Sequence, residues 1–157
     1  LTKKASWEIS QGDHMKQIET VRNALNMALK RLEELEQTLE HRAPALYEWD
    51  ATMICTVSAQ EFGVNRDALY VKTRDRAIVD ARHTAIYLMK KHLAMSATQV
   101  AEHFRSDMNR STVNSAVSSI QDRIEANPNF SAKIVRVESK YLIAKNERYT
   151  NENDQNK

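Results

Sequence analysis

Apolar residues recur in alternating steps of three and four near the start of the chain, at Ile18, Val21, Leu25, Ala28, Leu32, Leu35 and Leu39. This is an a/d stripe over three heptads with no Gly or Pro inside it. It predicts a long amphipathic helix over 15–43, closed by Pro44. In a parallel pair, Arg31 at g would face Glu36 at the following e of the partner helix. The seven stripe residues are therefore a candidate dimerisation surface for a second copy of the chain. Met27 and Leu29 widen the stripe, which also suits a helix lying on its own domain. Residues 1–14 precede the first methionine, Met15, and are expected to be flexible or processed.

From Asp50 the pattern resets. Asp50 is placed as an N-cap, Met53, Ile54, Val57 and Phe62 form a stripe, and Gly63 sits where a helix stops. Asn65 can cap a short turn through Leu69. A basic loop, Val71 to Arg76, leads into a helix over 77–93 with Ile78, Ala81, Ala85, Leu88 and Met89 facing inward. Ser96 followed by Gln99 is a capping-box signature for a short helix ending near Phe104. A polar break at 105–109 precedes a helix over 110–126. That helix turns Val113, Ala116, Val117, Ile120 and Ile124 inward and small polar residues outward, and Pro128 stops it. A last segment, 129–145, carries Ile134, Val137 and Leu142. The polar stretch 146–157 shows no periodicity and is expected to be disordered.

Composition narrows the chemistry. The 157 residues contain Gly 2 and Pro 2, too few turn-formers for a sandwich or barrel, so the expected fold is all-α. With Gly12 and Gly63 alone, these residues can form no glycine-rich phosphate cradle, and no nucleotide cofactor is expected. Cys55 has no second thiol for a disulfide or a zinc site, and its helical spacing among apolar residues suits a buried structural thiol better than a nucleophile. The histidines form no metal-ligand motif, so neither a metal nor an enzyme activity is expected. No apolar run is long enough to cross a membrane, and a cytoplasmic setting is the expectation. The net charge is +2, but residues 72–92 carry Lys72, Arg74, Arg76, Arg82, Lys90 and Lys91 against only Asp75 and Asp80. Such a local positive patch suits a polyanion.

A short helix, a tight polar break and a second helix with small polar residues at its start read as helix-turn-helix. A helix entering the major groove needs short hydrogen-bonding side chains near its N-terminus. Arg110, Ser111, Thr112, Asn114 and Ser115 meet that need, which makes double-stranded DNA the expected partner.

Residues 50–128 resemble the C-terminal DNA-binding domain of the bacterial chromosomal replication initiator DnaA, a helical domain related to the Trp repressor. The resemblance rests on Glu-Phe-Gly-Val at 61–64, the basic loop at 72–76 and Ala-Arg-x-x-Ala-x-Tyr-Leu at 81–88. It continues through the Ser96 cap and Arg-Ser-Thr-Val at 110–113. It implies a compact helix-turn-helix domain. With the heptad helix read above, the expected fold is an all-α chain in which a long N-terminal, coiled-coil-like helix precedes that domain, and the glycine count leaves out the initiator's nucleotide-binding module. The resemblance also implies that an arginine of the basic loop, aligned with Arg74, enters the minor groove. Arg82 and Lys90 fall where the family contacts phosphates, and Asn109, Arg110, Ser111 and Thr112 fall at the start of the recognition helix.

The chain departs from the family at the turn, where paired glycines are replaced by Arg-Ser-Asp-Met at 105–108. The family's Asp-His pair becomes Asn109-Arg110. Asn suits adenine and Arg suits guanine in bidentate pairs, so an altered DNA site is expected. Replication control, transcriptional repression and phage or mobile-element roles are all compatible with such a domain. Residues 50–128 hold ten Lys and Arg against nine Asp and Glu. That near-neutral balance also permits a protein-interaction module that keeps the fold without binding DNA.

Overall fold

The computed structural model describes residues 2–155, with side chains described for 10–38 and 47–155. The chain divides into two units, residues 1–42 and 43–157. The first is one helix, α1, Thr2–Leu46. It begins 13 residues before the expected Met15 and covers the segment expected to be flexible or processed. It also runs past Pro44, whose restricted φ is compatible with helix and whose missing N–H removes a single ladder bond. The heptad residues stay open to solvent: Ile18 is 54% exposed, Val21 58%, Leu25 59%, Leu32 56% and Leu35 59%. Ala28 is exposed as well, and the Leu39 side chain lies outside the described residues.

The second unit is a helical domain built around α3. Its helices are α2 (Glu48–Phe62), α3 (Arg76–His92), α4 (Ala97–Phe104), α5 (Arg110–Ala126) and α6 (Pro128–Gln155), with a 3₁₀ turn at Arg66–Tyr70. Helix α3 packs on α2 and α5, α6 covers α2 and α5, and α4 closes against α5. Ile54, Leu69, Ile86, Leu88, Met89, Val100 and Val113 are fully buried between them. Burying each such side chain contributes roughly 1.5–3 kcal/mol.

Local chemistry sets the boundaries. Gly63 takes the left-handed conformation at φ 65°, and the amide N–H groups of Gly63 and Val64 donate to the carbonyls of Gln60 and Ala59, closing α2 as a glycine stop. The Asn65 side chain caps the 3₁₀ turn through the Asp67 amide. Asp75 caps α3 by accepting from Ala77 and Ile78, and Ser96 and Gln99 form the expected capping box on α4.

Three features of this unit differ from expectation. Helix α2 starts at Glu48, ahead of Asp50. Asp50 instead accepts from the Tyr141 hydroxyl at 2.6 Å and pairs with Lys145 at 3.7 Å. Tyr141, rather than Leu142, continues the buried stripe Phe130, Ile134, Val137, while Leu142 is 44% exposed. The 4-3-4 spacing selects Tyr141, and Asp50 satisfies its hydroxyl. Finally, α6 does not fray at Asn146 but runs through Gln155. Arg148 pairs with Glu152 four residues on at 2.9 Å and lies 4.6 Å above the Trp49 ring, which holds the polar stretch helical.

Helix α6 is also fastened by two acidic clamps. Glu61 on α2 accepts from Arg136 at 2.8 Å and Lys140 at 3.3 Å. Glu138 on α6 meets Lys91 at 2.7 Å and His92 at 2.6 Å at the end of α3. Burial alone would raise both carboxyl pKa values, but the hydrogen bonds and cations outweigh it and hold both below the ordinary 4.5. The unfolded state then binds more protons in acid, so the stabilisation is complete above that value and is lost as pH falls through the depressed ones. Thermal unfolding followed by circular dichroism should show Glu138→Gln melting below the wild-type domain at neutral pH. The two curves should converge as pH drops beneath 4.5.

Candidate nucleic-acid interface

The helix-turn-helix consists of α4, residues 105–109 and α5. Val100, Ala101 and Phe104 of α4 and Val113, Ala116 and Ile120 of α5 are buried and fix the angle between the helices. The turn needs no glycine because no residue in it has a positive φ. Arg105 donates through Nε to Asp107 at 3.0 Å, the Met108 amide donates to the Arg105 carbonyl at 3.2 Å, and the Met108 side chain is only 7% exposed. Buried Met108 thus anchors a turn that the family closes with glycines. Its place between polar residues concealed that role in the sequence.

At the start of α5, Asn109 is the N-cap. Its Oδ1 accepts from the Thr112 amide at 3.1 Å, the Thr112 hydroxyl at 3.1 Å and the Ser111 hydroxyl at 2.6 Å. A bidentate adenine contact needs that oxygen as an acceptor. In the free chain Asn109 Oδ1 is thus occupied in supporting the helix tip. Ser111 and Thr112 turn their hydroxyl protons toward Asn109 and leave lone pairs outward. Arg110, Asn114 and Ser115 are exposed and have no polar partner among the described residues.

The basic loop follows the 3₁₀ turn. Lys72 and Arg74 are exposed without a partner among the described residues, and Arg76 is exposed with only a 4.0 Å approach to Asp80. The loop is short and pinned at both ends. Asp75 caps α3 and donates its own amide to Thr73 Oγ1 at 3.1 Å. Tyr70, just before the loop, sets its ring 5.6 Å from Phe104 and 5.7 Å from His103. Its hydroxyl lies 3.4 Å from His103 Nε2. The base of the loop and the first helix of the helix-turn-helix thus share one aromatic contact.

Arg82 and Lys90, which the resemblance places at phosphates, are both engaged within the protein. Arg82 is 5% exposed. Its guanidinium donates through Nε to the Leu69 carbonyl at 2.6 Å and through Nη2 to the carbonyls of Ala68 and Val71. A guanidinium engaged by three carbonyls is not presented to a phosphate. Lys90 is half-buried and donates to the Met95 carbonyl at 3.0 Å, tying α3 to the linker before α4. Burial, and then the neighbouring Arg82 charge, lower the pKa of His83 below its ordinary value, so it adds no cation here. Cys55 is fully buried, and burial pushes its thiol up to about 12, which suppresses the thiolate a nucleophile needs. No group of His, Cys, Asp and Glu among the described residues could hold a metal ion.

Comparison with known proteins converges on these elements. The family described as bacterial dnaA protein helix-turn-helix matches residues 51–120, from the first buried position of α2 to the last core residue of α5. The chromosomal replication initiator protein DnaA of Nautilia profundicola is 28% identical over 142 residues, covering 85% of this chain and 32% of that protein. The same initiator of Bacteroides thetaiotaomicron is 28% identical over 86 residues, covering 55% of this chain and 18% of its own length. That of Synechococcus is 37% identical over 57 residues, 36% of this chain and 12% of its own. The chain thus spans a third or less of these curated relatives. Residues 51–120 thus match the bacterial DnaA helix-turn-helix domain.

Proposed function

We propose that the second unit binds duplex DNA by laying the tip of α5 in the major groove while Arg74 enters the adjacent minor groove. The observation that carries this reading is the pattern of unpartnered cations. Lys72, Arg74 and Arg110 are exposed and have no polar partner among the described residues. By contrast, Lys91, Arg123, Arg136, Lys140 and Lys145 are engaged by Asp50, Asp80, Glu61 and Glu138. Ion pairs thus cancel much of the charge between the packed helices, while the loop and the tip of α5 keep unpaired cations. Arg110 is the side chain for base-edge contact, most naturally guanine. Ser111, Thr112, Asn114 and Ser115 line the groove-facing start of the helix.

We further propose that α1 joins two copies through Ile18, Val21, Leu25, Ala28, Leu32, Leu35 and Leu39. The exposure of the stripe from Ile18 to Leu35 and the Arg31–Glu36 match in a parallel register support this pairing. Two linked copies would engage two half-sites, the second with an affinity raised by its local concentration. A regulator of replication or transcription that occupies or blocks sites fits this arrangement, because these residues include no phosphate cradle for nucleotide-driven melting.

Selection from random duplex DNA with the purified chain should return a preferred site. Its affinity should fall with salt at a slope near −0.9 per phosphate contacted, whereas a flat response would show that the domain does not bind DNA. Arg74→Ala should weaken the selected site by about 1–3 kcal/mol and relax preference at an A·T-rich step, and Arg110→Ala should relax preference at one major-groove position. For α1, light scattering should find a wild-type dimer and a monomeric Leu25→Asp, Leu32→Asp variant. A monomeric wild type would exclude the pairing.

A further inference from the structure

Arg82 reaches from α3 across to the carbonyls of Ala68, Leu69 and Val71. Ala68 and Leu69 belong to the 3₁₀ turn Arg66–Tyr70, and Val71 is the first residue of the basic loop. Carbonyls at the end of a helical turn look beyond the ladder for donors. That of Ala68 also accepts from the Val71 amide at 3.2 Å, and those of Leu69 and Val71 take a side-chain donor. Here the donor is one rigid planar fork, and a guanidinium can bridge several acceptors in a fixed geometry where an ammonium cannot. The fork therefore sets the direction in which the backbone leaves the turn. Four residues later, Asp75 fixes the far end of the loop by capping α3. Between these two ties stand Lys72, Thr73 and Arg74. The cation of Arg105, at the start of the helix-turn-helix turn, also lies close enough to act on Arg82. The same buried group is thus flanked by both DNA-facing elements.

We propose that Arg82 is a positioning residue for DNA readout, holding the loop so that Arg74 is presented to the minor groove, and that it acts on DNA only through that loop. The proposal rests on the reading of the loop as a DNA contact, and the experiment separates failure of one from failure of the other. The full chain is titrated against two fluorescein-labelled duplexes of equal length, one A·T-rich and one G·C-rich, across a salt series. The variants are Arg74→Ala, Arg82→Lys and the double substitution.

Arg82→Lys keeps the charge but loses the fork. It should reduce the preference for the A·T-rich duplex on the order of ten-fold, as Arg74→Ala does. In the Arg74→Ala background it should change neither duplex by more than about two-fold and leave the salt slope untouched. A loss that adds fully to that of Arg74→Ala, with a shallower salt slope, would make Arg82 a phosphate contact and overturn the proposal. So would wild-type preference in Arg82→Lys. If Arg74→Ala itself alters neither duplex, the loop reading fails and the positioning role falls with it. Side-chain arginine NMR of the wild-type chain gives a check independent of variant folding. The Arg82 Nε–H should exchange slowly in the free protein and keep its shift when DNA is added while that of Arg74 moves. A large Arg82 shift with an unmoved Arg74 would overturn the proposal.

Discussion

Tyr70 stands where the 3₁₀ turn becomes the basic loop, and its ring lies against Phe104 and His103 of α4. This contact joins two stretches of chain more than thirty residues apart that would otherwise be independent surface features. Its hydroxyl finds His103, and burial raises the phenol pKa above its ordinary value, so the ring stays neutral and seated. Phe104 in turn belongs to the core that orients α5. The positions of Lys72 and Arg74 relative to the recognition helix therefore follow from hydrophobic packing that neither residue takes part in.

Much of this was legible in the residues themselves, because caps and stops are local chemistry. Gly63, Asn65, Ser96 with Gln99, and the 3-4 stripe of α5 all act within a few residues of where they sit. What escaped was long-range. A buried arginine and an exposed one look alike in a basic stretch, and only the carbonyls of Ala68, Leu69 and Val71 separate Arg82 from Arg74. Asn109 shows the same ambiguity at shorter range, since the side chain that suits adenine is also one of the best helix caps. In sequence the more apolar Leu142 looks a better core residue than Tyr141, whose partner, Asp50, lies 91 residues away. The helical end of α6 has no local signal, because its support, Trp49, is equally remote.

The acidic residues explain why overall charge is a poor guide to this domain. Asp50, Asp80, Glu61 and Glu138 do not dilute the positive surface; each is turned toward a cation of a neighbouring helix. Asp80 illustrates the economy of this arrangement. It takes both nitrogens of Arg123, at 2.8 Å and 3.2 Å, while the Arg123 guanidinium lies 3.8 Å above the Phe130 ring. One carboxylate thereby links α3, α5 and α6.

The sealed thiol of Cys55 has a practical side. Held in the core, where burial raises its pKa, it should react little with maleimide and iodoacetamide reagents under native conditions. A single cysteine introduced on an exposed position of α1 or α6 would then be the sole reactive handle on the chain. Fluorescence pairs placed this way could report distances between copies, or between protein and duplex, without first removing the native sulfur and disturbing the helix that contains it.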